Sequence, residues 1–418
     1  MQPRLVTAIA TGVLVVTAAG AAAQSPAPVM TDHAMGSMAP MGSMATMASP
    51  AMGATANAAA DLRTALDLKL GEHIILAFKA TGAALQGEEG QFKAYGTLLN
   101  TNGTDLGAMI GSVYGQDAQD TFNTIWSAHN GYFVDYTTGV ATGDTDMQDT
   151  AVKDLTEEYV PQFSDFIAGA TGLPLDAVTS LITDHVLQTK TVVDAQAAKD
   201  WATAYDGIRT AYAHMQMIGD ALAGAIVAQH PDMVAGDANT PAVDFRVALN
   251  QLLQEHLYLA TFATDAALEG GSEETPAALD VLGTNGTDIG GAIGTLYGQD
   301  AQDAFNQIWS AHNGFFVDYT TGVATKDQDM QDMAVENLTT VYVPQFASFL
   351  AGATGLPEDA LTSLITDHVL TTKAVVDAQA GDDAQAAAAA DLLAAQHMQM
   401  IGDPLSAAIV AAKPDSFQ

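Results

Sequence analysis

The sequence contains no cysteine. Disulfides, thiolate zinc sites, iron–sulfur clusters and c-type haem attachment are thereby excluded. Any metal must be held by His, Met, Asp, Glu or backbone oxygen. Basic residues are also scarce: 13 Lys and Arg stand against 49 Asp and Glu, a formal net charge of −36 over 418 residues. Phosphate recognition needs clusters of Lys and Arg, so nucleic acid is not an expected partner. Docking on an anionic membrane surface is disfavoured for the same reason. There is no H-E-x-x-H, no Glu-x-x-His pair, no P-loop and no G-x-S-x-G. No apolar run beyond the N-terminus is long enough to span a membrane. Hydrophobic residues nevertheless make up 48% of the chain, enough for a sizeable core. The negative charge reads as a surface adapted to high salt, where self-repulsion is screened.

Residues 1–23 read as a secretory signal. Arg4 gives a positive start, Leu5 to Ala19 is mostly apolar, and Ala21-Ala22-Ala23 offers a cleavage site. The mature protein is expected in the periplasm or outside the cell. Residues 24–58 are rich in Ala, Met, Ser, Gly and Pro and should be disordered. They carry His33 and Met30, Met35, Met38, Met41, Met44, Met47 and Met52. Thioethers are soft, neutral donors that select Cu(I), so this tract is a candidate copper-binding tail. The competing reading is a linker in which Met is incidental.

The remainder is one unit written twice at an offset of 183 residues, as from His73 to His256. The expected repeats are 59–235 and 242–418, joined by a linker around Gly236 to Pro241. Both copies contain WSAHNG (126–131 and 309–314) and FVDYTTGVAT (133–142 and 316–325). The period is too long for a solenoid and signals a duplicated domain. Apolar spacing predicts helices near 60–86, 92–112, 117–142, 146–169, 175–197 and 200–229. Phe122, Trp126, His129, Phe133, Tyr136 and Val140 illustrate the pattern. Asp117 is placed to cap one helix, Thr101-Asn102-Gly103-Thr104 to break or kink another, and Pro161 to bend a third. The expected fold is all-α: two tandem antiparallel bundles, each of four long helices plus short accessory ones.

Eight of the ten histidines are four duplicated positions: His73/His256, His129/His312, His185/His368 and His214/His397. Each falls on a different helix, on or beside an apolar stripe. Four imidazoles turned inward could build a transition-metal site in the bundle core. The competing reading is a set of hydrogen-bonded core histidines. His214-Met215-Gln216-Met217-Ile218-Gly219-Asp220 is repeated without change at 397–403 although the residues before it have drifted. Met217 and Met400, three residues after a histidine, could co-ligate a soft ion. Glu72 and Glu255 adjoin a histidine but point about 100° away from it on a helix.

Leu-x-x-Leu-x-x-Glu-His at 249–256, Tyr-Gly at 297–298, Trp-Ser-Ala-His-x-Gly-Phe-Phe-Val-Asp-Tyr at 309–319 and His-Met-x-Met at 397–400 form a recognisable pattern. It resembles a tandem-repeat family of secreted bacterial helical-bundle proteins, some of which bear the label "copper amine oxidase-like". The resemblance implies a helical fold and an extracytoplasmic setting. The oxidase activity is not carried over, because such a domain is β-rich with a modified Tyr. The expectation is an extracytoplasmic metal-binding protein, with copper the leading ion and sequestration or homeostasis its role. The alternatives are a non-catalytic structural or cell-surface module and an uncharacterised bundle metalloenzyme.

Overall fold

The computed structural model describes residues 53–418 apart from residue 382. The signal segment and Met30 to Met52 lie outside the described residues. After a 3-10 turn at Gly53–Thr55, repeat 1 contributes α1 (Ala58–Gln86), α2 (Glu89–Tyr114), α3 (Gln116–Thr142), α4 (145–171), α5 (Leu175–Ala198) and α6 (Trp201–Gln229). Repeat 2 contributes α7 (Pro241–Leu268), α8 (Glu274–Tyr297), α9 (Gln299–Thr325), α10 (328–354), α11 (Glu358–Ala380) and α12 (Ala384–Ala412). Among the described residues there is no strand, and no helix is long and apolar enough to cross a membrane. The ends have local causes. The Asn57 side chain accepts from Ala60 N, Asp144 from Met147 N, Asp200 from Thr203 N and Thr240 from Val243 N. Gly87 and Gly143 close α1 and α3 in the left-handed conformation.

Several local expectations need correction. The short helical segments expected beside the long helices run end to end here, Thr145–Lys153 into Val160–Thr171 and Gln328–Glu336 into Val343–Thr354, each pair joined by a π turn. Residues 53–58 are ordered; Thr55 is buried and its carbonyl accepts from Arg246 at 3.2 Å. Asp117 lies within the first turn of α3 rather than capping it, because the helix already begins at Gln116. Thr101-Asn102-Gly103-Thr104 lies inside α2. Asn102 and Gly103 serve tertiary contacts instead of a turn, and Thr101 and Thr104 bond carbonyls of their own helix. The strain expected at Pro161 is absorbed one turn earlier. Asp154–Tyr159 forms a π turn, with Val160 N–H bonded to Leu155 O, and the α-helix resumes at Val160–Thr171. Asn337–Tyr342 does the same before Pro344.

The two repeats share one core within a single compact unit rather than standing as separate bodies. Pro241, expected in a linker, is the first residue of α7. Where α1 crosses α7, Phe78 and Phe262 meet in a tilted contact with ring centroids 4.8 Å apart. The seam is rich in ion pairs, most of them with one partner buried or nearly so. Arg209 of repeat 1 grips Glu255 of repeat 2 at 2.9 and 3.1 Å and Asp288 at 2.8 Å. Arg246 of repeat 2 reaches Asp61 at 2.6 Å. Lys79 is paired with Asp391, both buried, and Tyr95 donates to Asp391 at 2.7 Å. The repeat equivalents of Lys79 and Asp391 are Phe262 and Ile208. This ion pair therefore exists only when repeat 1 meets repeat 2 in one orientation, which specifies their pairing.

Candidate metal centre

Helices α1, α3 and α5 each turn one imidazole into the core of repeat 1. Their apolar stripes force this: His73 is flanked by Leu70 and Ile74, His129 by Trp126 and Phe133, His185 by Ile182 and Val186, all buried. The rings of His73, His129 and His185 have centroids 5.5, 6.0 and 6.3 Å apart. One nitrogen from each lies within 4.8 Å of the other two. His256, His312 and His368 repeat this, with centroids 5.4, 6.3 and 6.4 Å apart. An ion bound at 2.0–2.1 Å needs donors ~3.5 Å apart, so a closure of about 1 Å completes the shell. Each triad could hold a metal ion.

The protonation states suit ligation. His129 Nδ1 donates to Trp126 O at 2.5 Å, and His312 Nδ1 to Trp309 O at 2.7 Å. Each thereby keeps Nε2 free as a donor to a metal. Burial lowers the pKa of His129 and His312 to about 4, despite the backbone bond that opposes the change. Burial, then the neighbouring histidines, lowers His185 and His368 to about 3. The same causes hold His73 and His256 well below the ordinary range. All six are neutral at pH 7, so no proton need leave when an ion arrives.

The supporting shell was not legible as such in the sequence. Asn102 Nδ2 donates to Lys69 O and to Glu72 Oε1, both at 2.9 Å. Its Oδ1 and the Nδ1 of His73 are both buried without a full hydrogen bond. In repeat 2, Asn285 binds Leu252 O at 3.1 Å and Glu255 Oε2 at 2.8 Å. Its amide oxygen lies close enough to His256 to favour the protonated ring nitrogen. Glu255 is thus linked through Asn285, on another helix, toward the histidine beside it, whereas Glu72 is linked only as far as Asn102. The flanking glycines have a steric purpose. A Cβ on Gly103 would sit 2.6 Å from Trp126 Cδ1, and one on Gly286 2.9 Å from Trp309 Cδ1. The indole so admitted walls the site, its centroid 4.6 Å from His73 and 4.7 Å from His129. Tyr159, presented by the π turn, stacks on His129 at 4.6 Å.

The fourth histidine pair does not join. His214 Nε2 bonds Leu181 O at 2.8 Å and His397 Nε2 bonds Leu364 O at 3.0 Å. These rings tie α6 to α5 and α12 to α11 as core hydrogen-bonding residues. Met217 and Met400 are 57% and 45% exposed at the surface, so neither is part of a buried triad. Met215 and Met398 occupy the core instead. Asp135 and Asp184 are exposed, and neither triad has a carboxylate among its clustered groups.

Fold and site together define a tandem six-helix-bundle protein with one buried three-histidine cluster per repeat. Comparison with protein-family models, with curated proteins and with solved structures finds no match to the chain in any of the three.

Proposed function

We propose that this protein binds metal ions, one per repeat at the histidine triads, and that Cu(I) is the preferred ion. The observation that carries the reading is the duplicated cluster of three buried, neutral imidazoles without a carboxylate. A core histidine needs one partner, as His214 has; clustered imidazoles in which Nδ1 of His73, His185 and His256 is buried without a hydrogen bond are a costly way to fill a core. The donor set selects charge. Burial cost grows with the square of ionic charge, so a divalent ion among neutral ligands pays ~4 times the desolvation cost of a monovalent one. Cu(I) also accepts three-coordination and soft or imidazole donors. The adjacent indole face favours a cation as well. In this reading the methionines of residues 30–52 gather Cu(I) outside the cytoplasm and the triads retain it, a role in sequestration or homeostasis.

Anaerobic Cu(I) titration of the full-length protein against a competing chelator, with elemental analysis, tests the proposal. Two tightly held ions are expected beyond those lost on deleting residues 30–52. One should disappear in His129→Ala and the other in His312→Ala. No metal above background in the wild type refutes metal binding. Tighter retention of Zn(II) at equal free concentration refutes the preference for copper.

A further inference from the structure

The triads have the same ligands but different surroundings. Each borders a cavity lined by its three histidines, by Ala, Leu, Ile, Phe, Val and Thr side chains and by one asparagine (Asn130 or Asn313), with no charged residue in the lining. The cavity measures about 40 Å³ in repeat 1 and about 120 Å³ in repeat 2. Two positions on the cavity-facing sides of α2 and α8 differ: Phe92 in repeat 1 is Thr275 in repeat 2, which opens the larger cavity, and Gly96 is Leu279, which adds bulk there without closing it. Exposure at the mouth follows the first of these. Val317 is 42% exposed, whereas its equivalent Val134 is partly covered, and Thr321 is exposed where Thr138 is half-buried.

We infer that the ion in repeat 2 takes an additional, small uncharged organic donor, of the size of a thioether, through this cavity, and that Phe92 denies the same position to repeat 1. The inference rests on metal binding by the triads. Three protein ligands leave a coordination position open. The cavity adjoins all three imidazoles and is the space onto which that position opens. Its apolar lining stabilises an uncharged molecule and penalises an anion. A cavity of ~120 Å³ approaches the size that admits a benzene-sized guest, and one of ~40 Å³ holds little more than water. The duplicated sites are thereby divided: repeat 1 encloses its ion, and repeat 2 leaves its ion reachable by an exchanging ligand.

Ethyl isocyanide is a suitable probe, being uncharged, of the right size and visible by its N≡C infrared stretch when bound to Cu(I). In the copper-loaded full-length protein, one bound component should vanish in His312→Ala and in Thr275→Phe and persist in His129→Ala. Phe92→Thr should add a second component, one that His129→Ala removes. Copper content is measured on the same samples. Two retained coppers with isocyanide on both triads or neither, or no response to Thr275→Phe and Phe92→Thr, overturns this inference alone. Absence of triad copper overturns the metal reading and this inference with it.

Discussion

Replacing Asp67 by Asn should stabilise this protein. Asp67 lies fully buried on α1, and neither carboxyl oxygen makes a hydrogen bond of normal length. Burial, then repulsion by Asp220, raises its pKa from 3.8 to about 9, with the Arg63 charge in partial opposition. The carboxyl is therefore neutral at pH 7. In repeat 2 the same position is Asn250, whose Nδ2 donates to Arg246 O at 3.0 Å and to Asp403 Oδ1 at 2.9 Å. Asp403 is the repeat equivalent of Asp220, so protonated Asp67 stands in for an amide. Between pH 3.8 and about 9 the folded state holds a proton that the unfolded state has released. Stability from this group is complete below pH 3.8 and falls by up to ~1.4 kcal/mol per pH unit until the folded carboxyl ionises. At pH 7 the loss has a ceiling of ~4 kcal/mol, and relaxation around the site lowers it to about 2–4 kcal/mol. Asp67→Asn removes that loss and offers Asp220, which already accepts from Arg63, the amide donor that Asp403 receives from Asn250. Urea unfolding of both proteins at intervals from pH 7 to 9 measures it. Histidine titration contributes little in this window, because the buried imidazoles lose stability only as pH falls below 6.5. The expected result is a more stable variant, with a gap that widens toward pH 9. A variant no more stable at pH 8, or one whose stability falls with pH as steeply as the wild type, would refute the reasoning.

Four further outcomes follow from the same structure. Lys79→Phe should cost about 3–5 kcal/mol by leaving Asp391 buried and unpaired, and adding Asp391→Ile should recover most of it; urea midpoints of the single and double variants decide this. Gly103→Ala should destabilise by about 1–3 kcal/mol and weaken metal retention by repeat 1 alone, because the new methyl displaces Trp126 from the triad; equal metal affinity in the two repeats would count against it. Lys326 adopts φ 58° where repeat 1 has Gly143 at φ 72°, so Lys326→Gly should raise the thermal midpoint by relieving a left-handed cap. The metal-free protein should lose stability as pH falls from 6.5 toward 4, since unfolded histidines bind protons that the buried triads refuse; bound Cu(I) should delay that loss.

Much of the fold was legible because helix formation is local. The stripe through Phe122, Trp126, His129, Phe133 and Tyr136 marks α3, and the 183-residue offset carries every assignment into the second repeat. The misreadings share one cause. Asn102 and Gly103 have the composition of a turn, yet inside α2 one reaches Glu72 and the other admits an indole. Glycine and asparagine signal a turn only where no neighbour needs their particular shape, and sequence cannot show the neighbour. His214 has the spacing and context of the other histidines and lies in a motif repeated without change, but its ring nitrogen is already committed to Leu181 O.

The sequence by itself determined that this is a duplicated, acidic, all-helical chain whose only available metal donors are His, Met and oxygen, because composition and periodicity are properties of the chain alone. Tertiary structure decided which donors meet. Three helices distant in sequence bring His73, His129 and His185 to one point, while Met217 turns outward and His214 becomes a tether. It also decided that the repeats are one body. Lys79 and Asp391, Arg209 and Glu255 are ordinary charges in the linear sequence, and only the meeting of α1 with α7 and their flanking helices makes them partners.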